Sequence, residues 1–418
     1  MGMALRGHRY KLSPTGEQRR QLARWAGCCR YVFNTALAHR QATYVSTGKG
    51  ISYAALCKQL TAWKKVLPWL KKPPAMLLQQ AIRDLDDAFT NFFAKRARYP
   101  RFRSRHHWQP SLRIPQDKTT LRVERLSRSV GRLNLPKLGW IRFRWSRIPE
   151  GSIRSATLSR DACGDWFVSL LCATEVQDVV ETTEVDPEHF RGIDLGITRP
   201  VTTDDGLNHN IPTPTKGDRR HAAKLARAVS RKQKGSANRA KAQHRLNRFH
   251  RQWRNRRTDA HHKLSNTLIA ENQGIAVEDL KIPNMTRRAK RKRVRQKSGL
   301  NRSILHQSWG SFLAMLAWKG RAAGVIVERV SARYTSQTCS VCGVIDVASR
   351  PTQASFVCTA CGHADNADVN AAKNIRAAGL SSIKACGVHV RPCPLRRARQ
   401  RTMKQVPTGN QRALPLGM

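Results

Sequence analysis

Tyr334-Thr335-Ser336-Gln337-Thr338-Cys339-Ser340-Val341-Cys342-Gly343 is followed by Cys358-Thr359-Ala360-Cys361-Gly362 and by Asp365-Asn366-Ala367-Asp368-Val369-Asn370-Ala371-Ala372-Lys373-Asn374-Ile375. Two Cys-x2-Cys pairs stand fifteen residues apart (343–357), a spacing that fits a four-cysteine zinc site. Each pair supplies two thiolates from one tight turn, and Gly343 and Gly362 lie directly behind. Cys339, Cys342, Cys358 and Cys361 fill all four positions of a tetrahedral ion, so the zinc is expected to be structural and His363 surplus. Behind the second pair a helical pattern starts at or near Asp368. An aspartate there reads equally as an N-cap, worth about 1 kcal/mol to its helix.

Two further acids stand out upstream. In Gly192-Ile193-Asp194-Leu195-Gly196-Ile197 the apolar residues share one face of a strand. Asp194 then sits on the other face, beside glycines that leave room for ions and a phosphodiester. A solvent-facing aspartate on an edge strand is the alternative. Gly274-Ile275-Ala276-Val277-Glu278-Asp279-Leu280 is an apolar strand ending in an acid pair, where sites of open α/β sheets gather. Glu278 is the stronger candidate, because Asp279 could simply open the next turn. Converging carboxylates repel and stay ionised only with cations between them. Two Mg²⁺ ions on Asp194, Glu278 and Asp368 would clamp both oxygens of an in-line phosphoryl displacement.

The composition points the same way. The 418 residues include 77 Lys+Arg against 27 Asp+Glu, a formal charge of +50. Such self-repulsion suits a protein held against a polyanion and excludes an ordinary small-molecule enzyme. Hydrophobic residues make up 40% of the chain, enough for two to four domains with cores. No apolar run approaches the length of a spanning helix, and the N-terminus lacks a signal peptide. The expected location is therefore inside the cell, in a reducing compartment. In that reducing compartment Cys28, Cys29 and Cys57 read as core thiols, and Cys386 and Cys393 as unpaired.

Arg9 to Leu12 is strand-like, and Thr15 with Gln18 forms a capping-box spacing. Leu22, Trp25, Ala26, Cys29, Val32, Phe33, Ala36 and Leu37 recur as one helix face. Helical text runs on to about residue 98, broken at Pro68 and Pro73-Pro74. Residues 92–110 mix basic and aromatic side chains, which suits nucleic acid: Arg96, Arg98, Arg101 and Arg103 are the candidate phosphate contacts. Short alternating strands over 111–174 suggest a small β-barrel or sandwich, closed off by an acidic linker. A mixed α/β part begins at Arg191. Within it, residues 216–257 hold 16 Lys/Arg and one acid, and 287–297 hold eight Lys/Arg in eleven positions. Lys224, Arg231, Lys232, Arg245, Arg287, Arg291 and Arg293 are the candidates there for lining a nucleic-acid channel. After Gly379 a Pro-punctuated basic tail without acids reads as disordered.

The order GIDLG, VEDL, YTSQTCSVCG, CxxCG and DxNAAxNI resembles the TnpB (OrfB-type) proteins of bacterial insertion sequences, relatives of type V CRISPR effectors. The N-terminal YKLSPTGEQ…CCRYVFN segment is similar to the same family, so the resemblance spans nearly the whole chain. It implies a multidomain α+β protein. Its parts would be a first wedge strand (1–12), a helical recognition lobe (13–110) and a β-barrel wedge domain (111–186). An RNase H-like (RuvC) α/β nuclease domain with a basic helical insertion would cover 187–335, with an inserted four-cysteine zinc ribbon at 336–364. The last RuvC helix (365–379) and the tail (380–418) would follow. It implies an RNA-guided DNA endonuclease that supports transposon retention, with Asp194, Glu278 and Asp368 as its Mg²⁺-binding acids. The partners would be a guide RNA from the element's own end and a double-stranded DNA target, in a monomeric ribonucleoprotein of the bacterial cytoplasm, at the nucleoid. The third motif departs from the family's usual D-R-D, leaving Asp365 as the fallback to Asp368. Two rival readings keep the same fold: a non-catalytic DNA- or RNA-binding regulator of transposition, and a strand-joining transposase.

Overall fold

A computed structural model describes residues 2–105, 108–115, 121–176, 185–288 and 293–386. The chain divides into two units, 1–178 with 214–255, and 179–213 with 256–418.

The first unit is organised around its N-terminal strand. Strand β1 (Gly2–Ser13) lies inside a sheet made with β2 (Ser111–Pro115), β3 (Arg122–Arg125), β4 (Val130–Leu135), β5 (Gly139–Arg144), β6 (Ser152–Arg160) and β7 (Trp166–Val176). The strand order is β2-β6-β7-β1-β5-β4-β3. Residues 2–11 of β1 pair antiparallel with β7, and Leu12 and Ser13 then pair with β5. One strand thus joins two half-sheets. Their inward residues, Leu112, Ile114, Leu158, Val168 and Leu170 from one half and Leu133, Leu135, Ile141 and Phe143 from the other, share one core. The outermost strands β2 and β3 do not pair among the described residues, so backbone bonds do not close the expected barrel.

The helices follow their local signals. Thr15 and Gln18 form the capping box of α1 (Gly16–Thr47), with both reciprocal bonds present. Gly48, at φ +67°, ends that helix in a left-handed turn suited to glycine. The whole expected stripe from Leu22 to Leu37 is buried. It packs with Leu77, Leu78, Ala81, Ile82, Leu85 and Phe89 of α3 (Ala75–Phe93), each buried Leu, Ile or Phe contributing about 1.5–3 kcal/mol. Helix α2 (Tyr53–Val66) stops before Pro68, and α3 begins after Pro74 and ends at Phe93, short of residue 98. Two basic helices complete the unit: α4 (Lys216–Ser230) and the first part of α5 (Ala237–Glu271). Sequence reasoning assigned this insertion to the nuclease domain, but residues 214–255 pack with the first unit. Arg251 pairs with Asp161 at 2.9 Å and Asp165 at 2.5 Å, and Asn247 donates to the Ala162 carbonyl at 2.6 Å. The acids on the turn between β6 and β7 supply the counter-charge that the basic helix lacks.

The second unit holds a five-stranded sheet, β8 (Phe190–Asp194), β9 (Val201–Thr203), β10 (Asn208–His209), β11 (Gly274–Glu278) and β12 (Ile326–Val330). The order is β10-β9-β8-β11-β12, with β8, β11 and β12 parallel and β9 and β10 antiparallel. Central β11 is buried at every position, as a strand covered on both faces must be. Ile193, Ile275 and Val277 pack on the first face with Leu264, Leu268, Phe312, Leu313 and Leu316. The last three belong to α8 (Trp309–Ala323), which follows α6 (Ile282–Met285) and α7 (Val294–Gln307). Phe190 and Ala276 pack on the opposite face with Ile375 and Ile383 of α9 (Ala367–Cys386). That helix runs past the boundary expected at 379, because Leu380 and Ile383 extend its apolar stripe and Ser382 bonds Glu328 at 2.9 Å. A hairpin of β13 (Ser355–Val357) and β14 (Ala364–Asn366) builds the cysteine ribbon. The core of the acidic linker (177–184) and the tail beyond 386 lie outside the described residues.

Candidate metal centres

The sheet's alternation places the first two acids. Ile193 faces the α8 side, so Phe190, Gly192 and Asp194 face α9. Ala276 faces α9 likewise, and so does Glu278 two residues on. Ile193 is registered with Val277 across the parallel β8–β11 ladder. Asp194 and Glu278 are therefore the next residues of two neighbouring strands, on one face, at their carboxyl ends. Small residues let α9 lie directly over this spot. A Cβ on Gly192 would stand 2.1 Å from the Ala372 carbonyl of α9, and one on Gly379 would stand 2.5 Å from the Ala276 Cβ. That close approach brings Asp368, in the first turn of α9, to the same corner.

The electrostatics carry the signature of convergence. Burial first, then the charges of Glu278 and Asp368, push the Asp194 carboxyl up to about 7, against an opposing pull from Arg350. Burial also raises Glu278, opposed by a hydrogen bond from the Thr335 hydroxyl at 2.8 Å. Asp368 is raised by burial and lowered by Arg350 and Arg199. Arg350 lies 3.7 Å from Asp368, reaching it from the ribbon. The rejected neighbours have other partners. Asp279 pairs with Lys281 and Arg329, and Asp365 pairs with Lys373 at 2.7 Å. The sequence reading missed Arg350, Arg199 and Asp204. Asp204 accepts from the Gly192 amide at 2.9 Å and lies 3.5 Å from Arg191 and from Arg376 of α9, so it clamps helix to sheet. Its role depends on a helix more than 160 positions away, which nothing in the sequence around it signals.

The four cysteines come together as expected. Their sulfurs lie within 4.8 Å of one another, the Cys339–Cys361 distance being 3.7 Å and Cys342–Cys358 3.5 Å. Thiolates about 2.3 Å from a tetrahedral zinc stand roughly 3.8 Å apart, so the cage fits that ion. Each knuckle is built alike. The Gly343 amide donates to the Cys339 carbonyl and the Gly362 amide to the Cys358 carbonyl, both at 3.0 Å, with φ +74° and +73° at the two glycines. The backbone amide of Cys361 leads in holding the Cys358 thiol down to about 6, while the Cys361 thiol, despite a backbone bond at His363, is raised to about 12 by the neighbouring sulfurs and burial. His363 stands outside the cage. Among the described residues the four cysteines form a group with all ligand atoms within 4.8 Å of one another, and the three acids do not.

The basic candidates divide. Arg96, Arg98, Arg101, Lys224, Arg231, Lys232, Arg245, Arg287 and Arg293 are exposed. Arg245 lines a cavity of about 610 Å³ with Arg248 and Phe249 between the two basic helices. Arg291 lies outside the described residues. Arg103 is a correction. Its guanidinium lies over the Phe33 and Trp108 rings and pairs with Asp84 at 3.1 Å, so it holds the segment against the helices.

Fold and sites together define a mixed α/β protein that gathers three acids on a parallel-centred sheet, with a four-cysteine ribbon between the second and third. Residues 171–289 match a family described as "Probable transposase", and 309–375 one described as "Cas12f1-like, TNB domain". Residues 1–49 match a "Helix-turn-helix domain", although they form strand β1 and the single helix α1. The chain is 37% identical to "Putative RNA-guided DNA endonuclease InsQ" of Escherichia coli strain K12, over 97% of this chain and 98% of that protein. It is 38% identical to a "Putative RNA-guided DNA endonuclease" of Streptomyces pristinaespiralis, over 94% and 93%. A Cas12f1 chain solved by cryo-EM with sgRNA and target DNA has the same fold, with TM-score 0.54, 15% identity and coverage of 87% and 83%. The chain belongs to the TnpB (OrfB) family.

Proposed function

We propose that this chain is the RNA-guided DNA endonuclease of a transposable element, with a RuvC-like centre at Asp194, Glu278 and Asp368. The observation that carries the reading is the convergence of three carboxylates on one corner of a buried sheet, where Asp194 feels both other charges. Hard carboxylate oxygens suit Mg²⁺, and two such ions, when bound, supply an activated water and neutralise charge on the phosphodiester. The chain's own residues do the rest. Asp194 and Glu278 take fixed places from the strand register, and Asp368 from α9. Arg350 and Arg199 put positive charge beside Asp368, where a phosphate's developing charge would be stabilised. Gly192 in the sheet face lets α9, and with it Asp368, close onto the strand that carries Asp194. The exposed arginines and lysines of both units neutralise the phosphates of guide and target, while an ion on the four cysteines holds the ribbon closed.

The relatives named as RNA-guided DNA endonucleases over their full lengths support the guided reading. The test is to purify the chain with its RNA, sequence that RNA, and offer matched and scrambled double-stranded DNA with Mg²⁺. We expect a discrete RNA from the flank of the chain's own gene, and cutting of matched DNA alone that stops on chelation. Mixed RNA stripped by moderate salt, with no cutting, would support a binding regulator. Joining of DNA ends would support a transposase.

A further inference from the structure

The ribbon does more than sit between two acids in sequence. Thr335, buried four residues before the first zinc ligand, donates its hydroxyl to Glu278 Oε1 at 2.8 Å; its alternative acceptor, the Ala332 carbonyl, is 3.3 Å away. The carbonyl of Thr335 accepts from Asn374 Nδ2 of α9 at 2.9 Å. Asn374 also donates to the Thr338 carbonyl at 2.7 Å, and Asn370 donates to that same carbonyl at 2.8 Å. Asn370 Oδ1 accepts from the Ser340 amide at 2.9 Å, so the two residues flanking Cys339 are held by one fully buried side chain. The two asparagines of the NAAxN segment thus fasten the first zinc knuckle to the helix that carries Asp368. Thr335 then carries the connection to Glu278.

We propose that Thr335 is a positioning residue for Glu278, and that closure of the four-cysteine knuckle, transmitted through Asn370 and Asn374, sets where that carboxylate points. This rests on the reading of the three acids as a metal centre. A buried carboxylate has few orientations that satisfy its oxygens, and a single short hydrogen bond selects among them. The path from the thiolates to Glu278 is hydrogen-bonded throughout, with Cys339, Asn370, Thr335 and Glu278 buried and Thr338, Ser340 and Asn374 half-buried. Loosening the knuckle therefore frees the carboxylate, and removing the Thr335 hydroxyl frees it while leaving the knuckle intact.

The experiment titrates the full chain with its RNA against Mn²⁺, reading free ion by its EPR signal. The Asp194→Asn chain serves as the baseline for ions held by RNA, and zinc content is measured on the same samples. Thr335→Val should weaken the Asp194-dependent Mn²⁺ binding by about 10–100-fold at unchanged zinc content. Thr335→Ser, which keeps the hydroxyl, should restore it. Asn374→Ala should weaken Mn²⁺ binding and also speed loss of zinc to a chelator. Wild-type Mn²⁺ affinity in Thr335→Val would overturn the proposal, as would equal weakness of the Ser and Val variants. If the wild-type chain holds no more Mn²⁺ than Asp194→Asn, the metal-centre reading fails and takes this inference with it.

Discussion

At the scale of single residues, Asp194 is the most exacting case. The fold raises its carboxyl from an ordinary 3.8 to about 7, through burial and then two neighbouring carboxylates. The folded protein therefore prefers the protonated form more than the unfolded chain does. That preference contributes stability fully present below about pH 4 and lost as pH rises through about 7. In metal-free protein, Asp194→Asn should accordingly raise the melting temperature at pH 8 and leave it nearly unchanged at pH 4. The gain at pH 8 should be on the order of 2–4 kcal/mol, and added divalent ion should stabilise only the wild type. Calorimetry at the two pH values checks it. The basic residues make the complementary case. Arg103→Ala should cost roughly 1–3 kcal/mol of stability and leave RNA affinity nearly unchanged. Arg98→Ala, at an exposed site, should weaken RNA binding without moving the melting curve. Composition gave both arginines one role, since a paired guanidinium and a free one spell the same letter. Asp194 and Glu278 were legible because strand alternation fixes the face. Arg350 was not, because its partner Asp368 lies across the ribbon.

At the scale of elements, α9 on β8 and β11 is the contact that assembles the acids. Gly192→Ala places a methyl 2.1 Å from the Ala372 carbonyl, an overlap that only a shift of the helix relieves. The expected result is a loss of about 1–3 kcal/mol together with weakened divalent binding, measured by chemical unfolding and by Mn²⁺ titration. Helix α1 was readable to its first residue from the capping box, and its buried face from the spacing of Leu22 to Leu37. The placement of β1 between β5 and β7 was not readable, because its partners lie well over a hundred residues away and alternation says nothing of pairing order. The same long range concealed the docking of the basic helices in the first unit, which rests on Asp161 and Asp165 meeting Arg251.

At the scale of the whole molecule, a charge of +50 and a buried knot of acids serve opposite ends of one task. In the proposed function the cations would hold polyanions, and the acids would hold the ions that assist in cutting them. Affinity for RNA should fall steeply with salt, as phosphate neutralisation requires. Zinc is expected at one ion per chain, and its removal should melt the ribbon before the sheet, since Cys339, Cys358, Phe356 and Ala367 form a separate small core. The central claim is that Asp194, Glu278 and Asp368 make one nuclease centre. The direct measurement is the rate of matched-DNA cutting in Mg²⁺ by RNA-loaded wild type, Asp368→Asn and Asp365→Asn, with bound RNA quantified in each. The account predicts full RNA retention in all three, cutting by wild type and Asp365→Asn, and a fall of at least about a hundredfold in Asp368→Asn. Undiminished cutting by Asp368→Asn would contradict it.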